Sequence, residues 1–550
     1  MKKTVKLDLS SDRLIAVAAD LVDEHKYINA LKMLNKNAEL NGNDEDSYML
    51  YAEIFDDLEL FESCVNYWYK FMDCNSSGDL SEAYEGLASA YLNLGKGRFA
   101  AYYYNKLVGK VGVDPEERAE IMSDFLELEK NPLKFVYPPQ LNEFADEISD
   151  GVDLMKSGKF AQAVLEFEKV EDESPSYLRA RNYIAMCKII DDKNEEAEQE
   201  CLAILKKDPE NVHALTSLAA LKTEQKKFDE SKQLAHKLLG LEIHLTDDIY
   251  KVATVCCENK MHAEAYKLFC KLEKMLPIDS TLMFFKAISA FNCGNYEQCF
   301  SAFDTLLTVY PESVTANYHY RKAREAAENG EPAELGYFYR MPEEERESTL
   351  KILTAFSELS NAQTGKLSAM MDITDCVLWC FDEKEGGGTE LQFLAALCAV
   401  KARLDGIVRN ILLNAFLEDP LKIRILSVLG ERNEEDSFGV VMCHMYKNID
   451  FYPVNVGRTK RKYFIAANAR LIAHFSVVSN SSGKMFAKAT EEMYEKLKAE
   501  NRLKDIADLD ALTAAIYCRS GVNKPSLPRD RLSLFFNTTE DKIKKILGEI

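Results

Sequence analysis

The chain of 550 residues has no Cys-x-x-Cys pair, no His-Glu-x-x-His or Gly-x-Ser-x-Gly motif, no kinase signature set, and no apolar run approaching about eighteen residues. These absences remove the compact zinc and thiol–disulfide motifs, the common hydrolase signatures and a membrane-spanning helix. Glycine (24) and proline (14) are sparse, so long elements meet few interruptions, and the bias toward alanine, leucine, lysine and glutamate favours helix. Alternating apolar and polar character never runs far enough to predict a sheet. The opening MKKTVKLDLSSDR carries two lysines with no apolar segment behind them, so a soluble, cytoplasmic protein without a leader is expected. The 14 cysteines are scattered rather than paired by spacing, which predicts free thiols in a reducing compartment.

Positive charge is the scarcer sign, with 68 Lys plus Arg against 90 Asp plus Glu, and its distribution is uneven. Residues 451–550 hold 18 basic against 11 acidic side chains, whereas residues 1–450 hold 50 against 79. The body therefore repels nucleic acid and the tail does not. With this many carboxylates, close acidic pairs arise by chance and carry no message about acid–base catalysis. SSGKM is no phosphate loop: Val478 stands where a glycine is needed and Met485 where a hydroxyl is needed. Gly386, Gly387 and Gly388 are flanked by Glu383, Glu385 and Glu390, which would repel phosphate, so they read as a connector.

What the chain does have is a period. Proline recurs at 175, 209, 277 and 311, offset by whole multiples of 34 residues, and a small residue keeps the same pace at Ala163, Ala197, Ser231, Ala265 and Cys299. In SGKFAQAVLEFEKVEDESP, Phe160, Ala163, Val164, Phe167 and Val170 share one helical face. In the helix before it, Gly151 marks a close backbone approach and Leu154 packs beside it; Gly158 falls in the connecting turn. Neither helix can bury its face alone, but paired helices stacked on the next pair can.

The pattern resembles the tetratricopeptide repeat, a 34-residue helix–turn–helix unit. Position 8 is Gly151, Ala185, Ala219, Ala253 and Ala287; position 24 is Phe167, Cys201, Ala235, Phe269 and Phe303; position 27 is Val170, Ile204, Leu238, Leu272 and Leu306. Only Ile243 departs from the proline stop. Three copies precede these, carried by Tyr27, Ala30 and Leu34, then Ala52, Phe61, Cys64, Trp68 and Phe71, then Ala88, Tyr91, Ala100, Tyr104 and Leu107. A lone helix from Pro115 to Glu129 is predicted next, and Pro132, Pro138 and Pro139 then forbid helix and mark a hinge. The segment SVTANYHYRKAREAAEN closes the second array as a capping helix without a partner.

The resemblance implies an all-α superhelix divided as follows: an N-terminal array with hinge over residues 1–142, a main array with its cap over 143–330, a HEAT-like helical region over 331–450, and a basic helical domain over 451–550. The HEAT-like reading rests on three helical stripes split at Asp405-Gly406 and Asp419-Pro420. In such repeats positions 2, 5, 9 and 12 of the first helix face the concave groove. They correspond here to Arg179 and His213, to Asn182, Tyr250 and Phe284, to Met186 and Ile288, and to Ile189 and Phe291. Two readings stand side by side: a groove for an apolar or amphipathic segment of another protein, or faces that neighbouring repeats simply cover. Ile148, Thr216, Tyr250 and Phe284 occupy position 5, where a clamp for a chaperone's carboxylate tail would carry Lys or Asn, so that use is not expected.

The expectation is therefore a non-enzymatic scaffold that docks a protein or peptide partner, with no cofactor and no membrane contact. Cys64, Cys201 and Cys299 sit at core positions as small hydrophobes, and helical spacing scatters Cys256, Cys257, His262 and Cys270 over different faces, which argues against metal. The alternative is a transcriptional regulator. LPRDRLSLFFNTTEDKIKKILGEI resembles a helix-turn-helix, with Leu532 and Phe536 packing one helix, Asn537 in a left-handed turn, and Ile543 and Ile546 packing the next. Its candidate nucleic-acid contacts are Lys542, Lys544 and Lys545, joined by Lys460, Arg461 and Lys462 upstream. Glu540 and Asp541 open the second helix, where they oppose phosphate, and a three-helix cap explains the same residues.

Overall fold

The computed structural model describes residues 9–75, 78–109, 147–170, 177–329, 334–359, 361–368, 370–382, 388–477, 482–522 and 529–549. The chain forms two compact units, one spanning Leu141–Met341 and the other combining Met1–Gln140 with Pro342–Ile550. The expected hinge at Pro132–Pro139, the lone helix from Pro115 to Glu129, Pro175, and Gly386 with Gly387 lie outside the described residues. None of the described helices is long and apolar enough to cross a membrane.

The unit Leu141–Met341 is a stack of antiparallel helix pairs. Glu147–Lys156 pairs with Phe160–Phe167, Tyr177–Ile190 with Asn194–Lys207, Val212–Glu224 with Phe228–Leu239, Thr246–Glu258 with His262–Leu272, and Ser280–Asn292 with Tyr296–Val309; Val314–Asn329 follows alone. The turn inside each pair needs one left-handed residue, and these are Gly158, Asp192, Lys226, Lys260 and Gly294, again spaced by 34. Geometry, not composition, is what repeats: glycine fills the position only twice, and the other three side chains tolerate a conformation that disfavours them.

Ala163, Ala197, Ser231, Ala265 and Cys299 are all fully buried where the second helix of each pair crosses its neighbours. Ser231 fits among alanines because its hydroxyl donates to the Ala219 carbonyl at 3.0 Å. Gly151 allows the expected close approach: a Cβ there would lie 2.4 Å from the Phe167 ring. Asn211 and Asp279 cap the following first helices by accepting from the amides of Ala214 (3.0 Å) and Leu282 (2.8 Å).

In the other unit, three pairs come first: Ser11–Asp23 with Tyr27–Asn41, Glu45–Asp57 with Phe61–Cys74, and Ser81–Asn93 with Gly97–Val108. The later part brings helices Glu343–Glu358, Gly388–Ala402, Asp405–Leu413 and Asp419–Gly430, then Arg461–Phe475, Ser482–Ala499, Leu509–Ser520, Arg529–Phe535 and Glu540–Leu547. Asn537 takes the left-handed turn at φ 49° between the last two, with Leu532, Phe536, Ile543 and Leu547 buried; Leu547, not Ile546, completes that face.

One expectation is corrected. Strands β1 (Asp436–Met442) and β2 (Met445–Phe451) form an antiparallel hairpin in a helical chain. It escapes a period-2 reading because Phe438, Gly439, Val440, Val441 and Met442 are all buried, so β1 is covered on both faces and does not alternate. Met442 pairs with Met445, which leaves Cys443-His444 as a two-residue turn with φ of 48° and 57°. Such turns are usually signalled by Asn-Gly or Asp-Gly, and neither stands at this one.

Candidate functional site

The hairpin tip is seated in the first array. Tyr69 lies on the helix Phe61–Cys74, Tyr91 on Ser81–Asn93 and Tyr103 on Gly97–Val108, and all three are buried. The Tyr69 hydroxyl lies 2.8 Å from that of Tyr91 and 2.9 Å from that of Tyr103, and it donates to the His444 carbonyl at 2.6 Å. Tyr103 reaches the same carbonyl at 3.0 Å, and the Tyr91 hydroxyl meets His444 Nδ1 at 3.0 Å. The imidazole also packs on Phe99, with ring centres 4.3 Å apart. Burial pushes the His444 pKa down to about 3, with the Lys96 and Lys422 charges adding to the effect, so the ring is neutral at pH 7.

The other side of the turn is held from below. Asp419 accepts from the Cys443 amide at 3.0 Å and from its thiol at 3.3 Å. Lys422 is fully buried and donates to the Val441 carbonyl at 2.7 Å; burial lowers its pKa to about 8. Tyr446 donates to Asp73 at 2.9 Å, and Asn66 accepts from the Ala415 amide at 2.9 Å. The tip is thus an internal ligand of the first array, and its two left-handed non-glycine residues are held by five hydrogen bonds rather than by turn propensity.

In the second array the groove residues divide into two groups. Arg179 is exposed beside the Tyr183 ring, while Asn182, Met186 and Ile189 are half-buried along the helix Tyr177–Ile190. Asn182 donates to the side chain of Asn211 at 3.3 Å. Tyr250 is half-buried, with its ring 6.2 Å from Phe269 and 6.3 Å from Phe285. Phe284, Ile288 and Phe291 are instead closed off, at 0%, 0% and 3% exposure. The Tyr339 ring sits 4.8 Å from Phe284 and the Tyr296 ring 5.0 Å from Phe291.

Tyr339 belongs to residues 334–341, a non-helical stretch that no repeat motif marked. Asn292 clamps it, accepting from the Leu335 amide and donating to the Leu335 carbonyl, both at 2.9 Å. His262 Nδ1 meets the Tyr337 hydroxyl at 2.8 Å and Ser313 meets that of Tyr339 at 2.8 Å. His262, set aside above as a metal ligand, is thereby engaged with a tyrosine.

His213, Asp247 and Asp248 place one donor atom each within 4.8 Å of one another, the only such group among the described residues. The Lys251 ammonium contacts His213 and Asp247 and lies 3.9 Å from Asp248, so a cation is already supplied by the chain. In the basic tail Lys542 pairs with Asp508 at 2.8 Å and Lys544 with Glu540 at 3.3 Å. Lys545 is exposed, and Arg502 holds its carbonyl. Arg461 and Lys462 are exposed at the start of the helix Arg461–Phe475, and the Lys460 ammonium lies 4.9 Å from the Tyr463 ring centre.

No family model matches the chain. It is 21% identical over 293 residues to the TPR repeat-containing protein YvcD of Bacillus subtilis, covering 52% of this chain and 60% of that protein. The left-handed turns and the buried small residues, both recurring at 34, give the chain the architecture of stacked tetratricopeptide-like helix pairs. It is also 25% identical over 234 residues to mouse DnaJ homolog subfamily C member 3, covering 42% of each. It spans about half the length of these curated relatives. A tetratricopeptide repeat protein from Parabacteroides merdae is 15% identical in structural alignment, covering 51% of this chain and 99% of its own, with a TM-score of 0.24.

Proposed function

We propose that this protein is an interaction scaffold that docks extended segments of partner proteins along the first-helix side of its second array. The observation that carries the reading is residues 334–341, a non-helical stretch packed against Phe284 and Asn292 of a first helix and held there by a side-chain clamp on the backbone and by aromatic slots. This is how repeat grooves recognise peptides in general. Toward the start of the array, Arg179, Asn182, Met186 and Ile189 offer one cation, one amide and two apolar side chains to a partner. The neutral, hydrogen-bonded His444 and the Lys251-filled acidic group have structural roles in this reading, and no step of chemistry is assigned to them.

DNA binding by the last helices is the competing reading. It would require Lys542 and Lys544 to leave Asp508 and Glu540. Photocrosslinking separates the two. A crosslinking amino acid at Asn182 or Ile189 of the full chain should give partner adducts that the same group at exposed Lys232, on the second helix of a pair, does not. Adducts confined to position 232 would reject the groove. Duplex binding with a steep salt dependence, abolished by neutralising Lys542, Lys544 and Lys545, would establish the regulator instead.

A further inference from the structure

Residues 334–341 carry their own recognition pattern. Leu335, Tyr337 and Tyr339 turn inward, whereas Glu334, Gly336, Phe338 and Arg340 face solvent, with Phe338 at 66% exposure. The alternation lays every second side chain on the array, although the backbone also turns where the Arg340 amide donates to the Phe338 carbonyl at 2.8 Å. Its backbone is gripped twice. Asn292 completes both hydrogen bonds of Leu335, as a neighbouring strand would, and the His319 ring donates to the Arg340 carbonyl at 3.0 Å. Neither grip reads a side chain.

Side-chain selectivity lies in three places. Lys260 donates to Glu334 at 2.7 Å and His262 stands 3.7 Å from the same carboxylate, so the first subsite favours an acid. The Tyr337 ring stacks on His262 and meets Phe285 at 6.2 Å, with its hydroxyl on His262. The Tyr339 ring fills the space beside Phe284 and ends on the Ser313 hydroxyl. Each tyrosine thus enters an apolar slot that ends in a polar group, a pairing that rewards tyrosine over phenylalanine.

We infer that this surface is a peptide slot with residues 334–341 as its resident occupant, and that a partner segment of the pattern acid, apolar, any, Tyr, any, Tyr takes its place. The inference rests on the scaffold reading and names the class of segment that the rear of the groove accepts. One feature marks the stretch as an occupant: side chains of the array, Asn292 and His319, hold its main chain where a helix or sheet ladder would otherwise do so. Tethering gives the resident an effective concentration on the order of millimolar, so a free segment with the same contacts competes weakly until the resident is displaced.

The test uses the full chain and a fluorescein-labelled peptide, ELGYFYRM, equal to residues 334–341. Tyr337→Ala with Tyr339→Ala should vacate the slot. That variant should then bind the peptide in an anisotropy titration at least about tenfold more tightly than the unaltered chain. Adding Asn292→Ala should weaken this binding by about tenfold or more, and a peptide with both tyrosines replaced by alanine should not bind. Failure of the vacated variant to bind, with its helical circular dichroism intact, overturns the inference.

If the alanine pair does not fold, Tyr337→Phe with Tyr339→Phe keeps the rings and loses only the hydroxyl contacts. Excess peptide should then raise amide exchange across 334–341 without raising it across Glu343–Glu358, and unchanged exchange overturns the inference. Conversion of the unaltered chain to a dimer that the peptide dissolves would make a second copy the occupant and also overturn it. Adducts at Asn182 or Ile189 without peptide binding would leave the scaffold reading standing while the slot falls; peptide binding without those adducts would confine docking to the rear of the array.

Discussion

Gly86 offers a sharp test of packing in the first array. It lies on the helix Ser81–Asn93, and a Cβ built there would fall 2.2 Å from Trp68 Nε1 and 2.3 Å from Cε2. Non-bonded heavy atoms settle at about 3.5 to 4.0 Å, so the indole must retreat by more than about 1 Å. Trp68 is buried and meets Phe71 edge-on at 5.7 Å, and a rigid bicyclic ring has no flexible end to give. Gly86→Ala gains about 1 kcal/mol of helix propensity but overpacks at a cost toward the upper part of about 1 to 3 kcal/mol. The net expectation is a loss of about 1 to 2 kcal/mol.

Gly406→Ala, on the helix Asp405–Leu413, is the control, because nothing lies within 4 Å of its Cβ position. It should be neutral or stabilising by up to about 1 kcal/mol. Urea unfolding followed by tryptophan emission reads both, since the chain has 2 tryptophans and Trp379→Phe leaves Trp68 as the reporter. Gly86→Ala should lower the midpoint and shift the emission of the folded state, and Gly406→Ala should do neither. Equal midpoints for the two alanine variants would refute the placement of Trp68 against that helix.

Phe284→Ala should cost about 3 to 5 kcal/mol in thermal or urea unfolding, because the ring is core, whereas Arg179→Ala should leave stability within about 0.5 kcal/mol. Tyr69→Phe removes the closest donor to the His444 carbonyl and should destabilise its unit by about 1 to 3 kcal/mol, with faster amide exchange across β1 and β2. The folded pKa of His444 lies near 3, below its ordinary 6.5, so the unfolded chain binds the extra proton first. Its contribution is whole above about pH 6.5 and is lost as pH falls toward 3; His444→Gln should flatten that stretch of the stability–pH curve. His474, pushed to about 4 by burial, acts in the same window and sets the slope that remains.

The helical repeats were readable from local signals because each unit is built from contacts within about 34 residues, and small residues, turn positions and stops recur wherever those contacts recur. Gly151 against Phe167, Gly158 in its turn and Asn537 at φ 49° are all places where a residue's own stereochemistry announces its role. The groove assignment was half readable. Family positions locate Tyr250 and Phe284 on the first-helix side, but whether that side meets solvent depends on Tyr337 and Tyr339, which carry no periodic mark.

The sequence alone determined the repeat, the helix pairing and the small-residue crossings, because their causes lie within one unit or between adjacent units. Only the tertiary structure decided that Cys443-His444 turns a hairpin and that residues 334–341 pack against Asn292 and Phe284. In the hairpin, partners as far apart in the chain as Tyr69 and His444 supply what local propensity withholds: hydrogen bonds to a strained turn and cover for an apolar strand. Such distant pairs leave no spacing to read, since nothing in a single sequence ties a tyrosine near the start to a histidine hundreds of residues later.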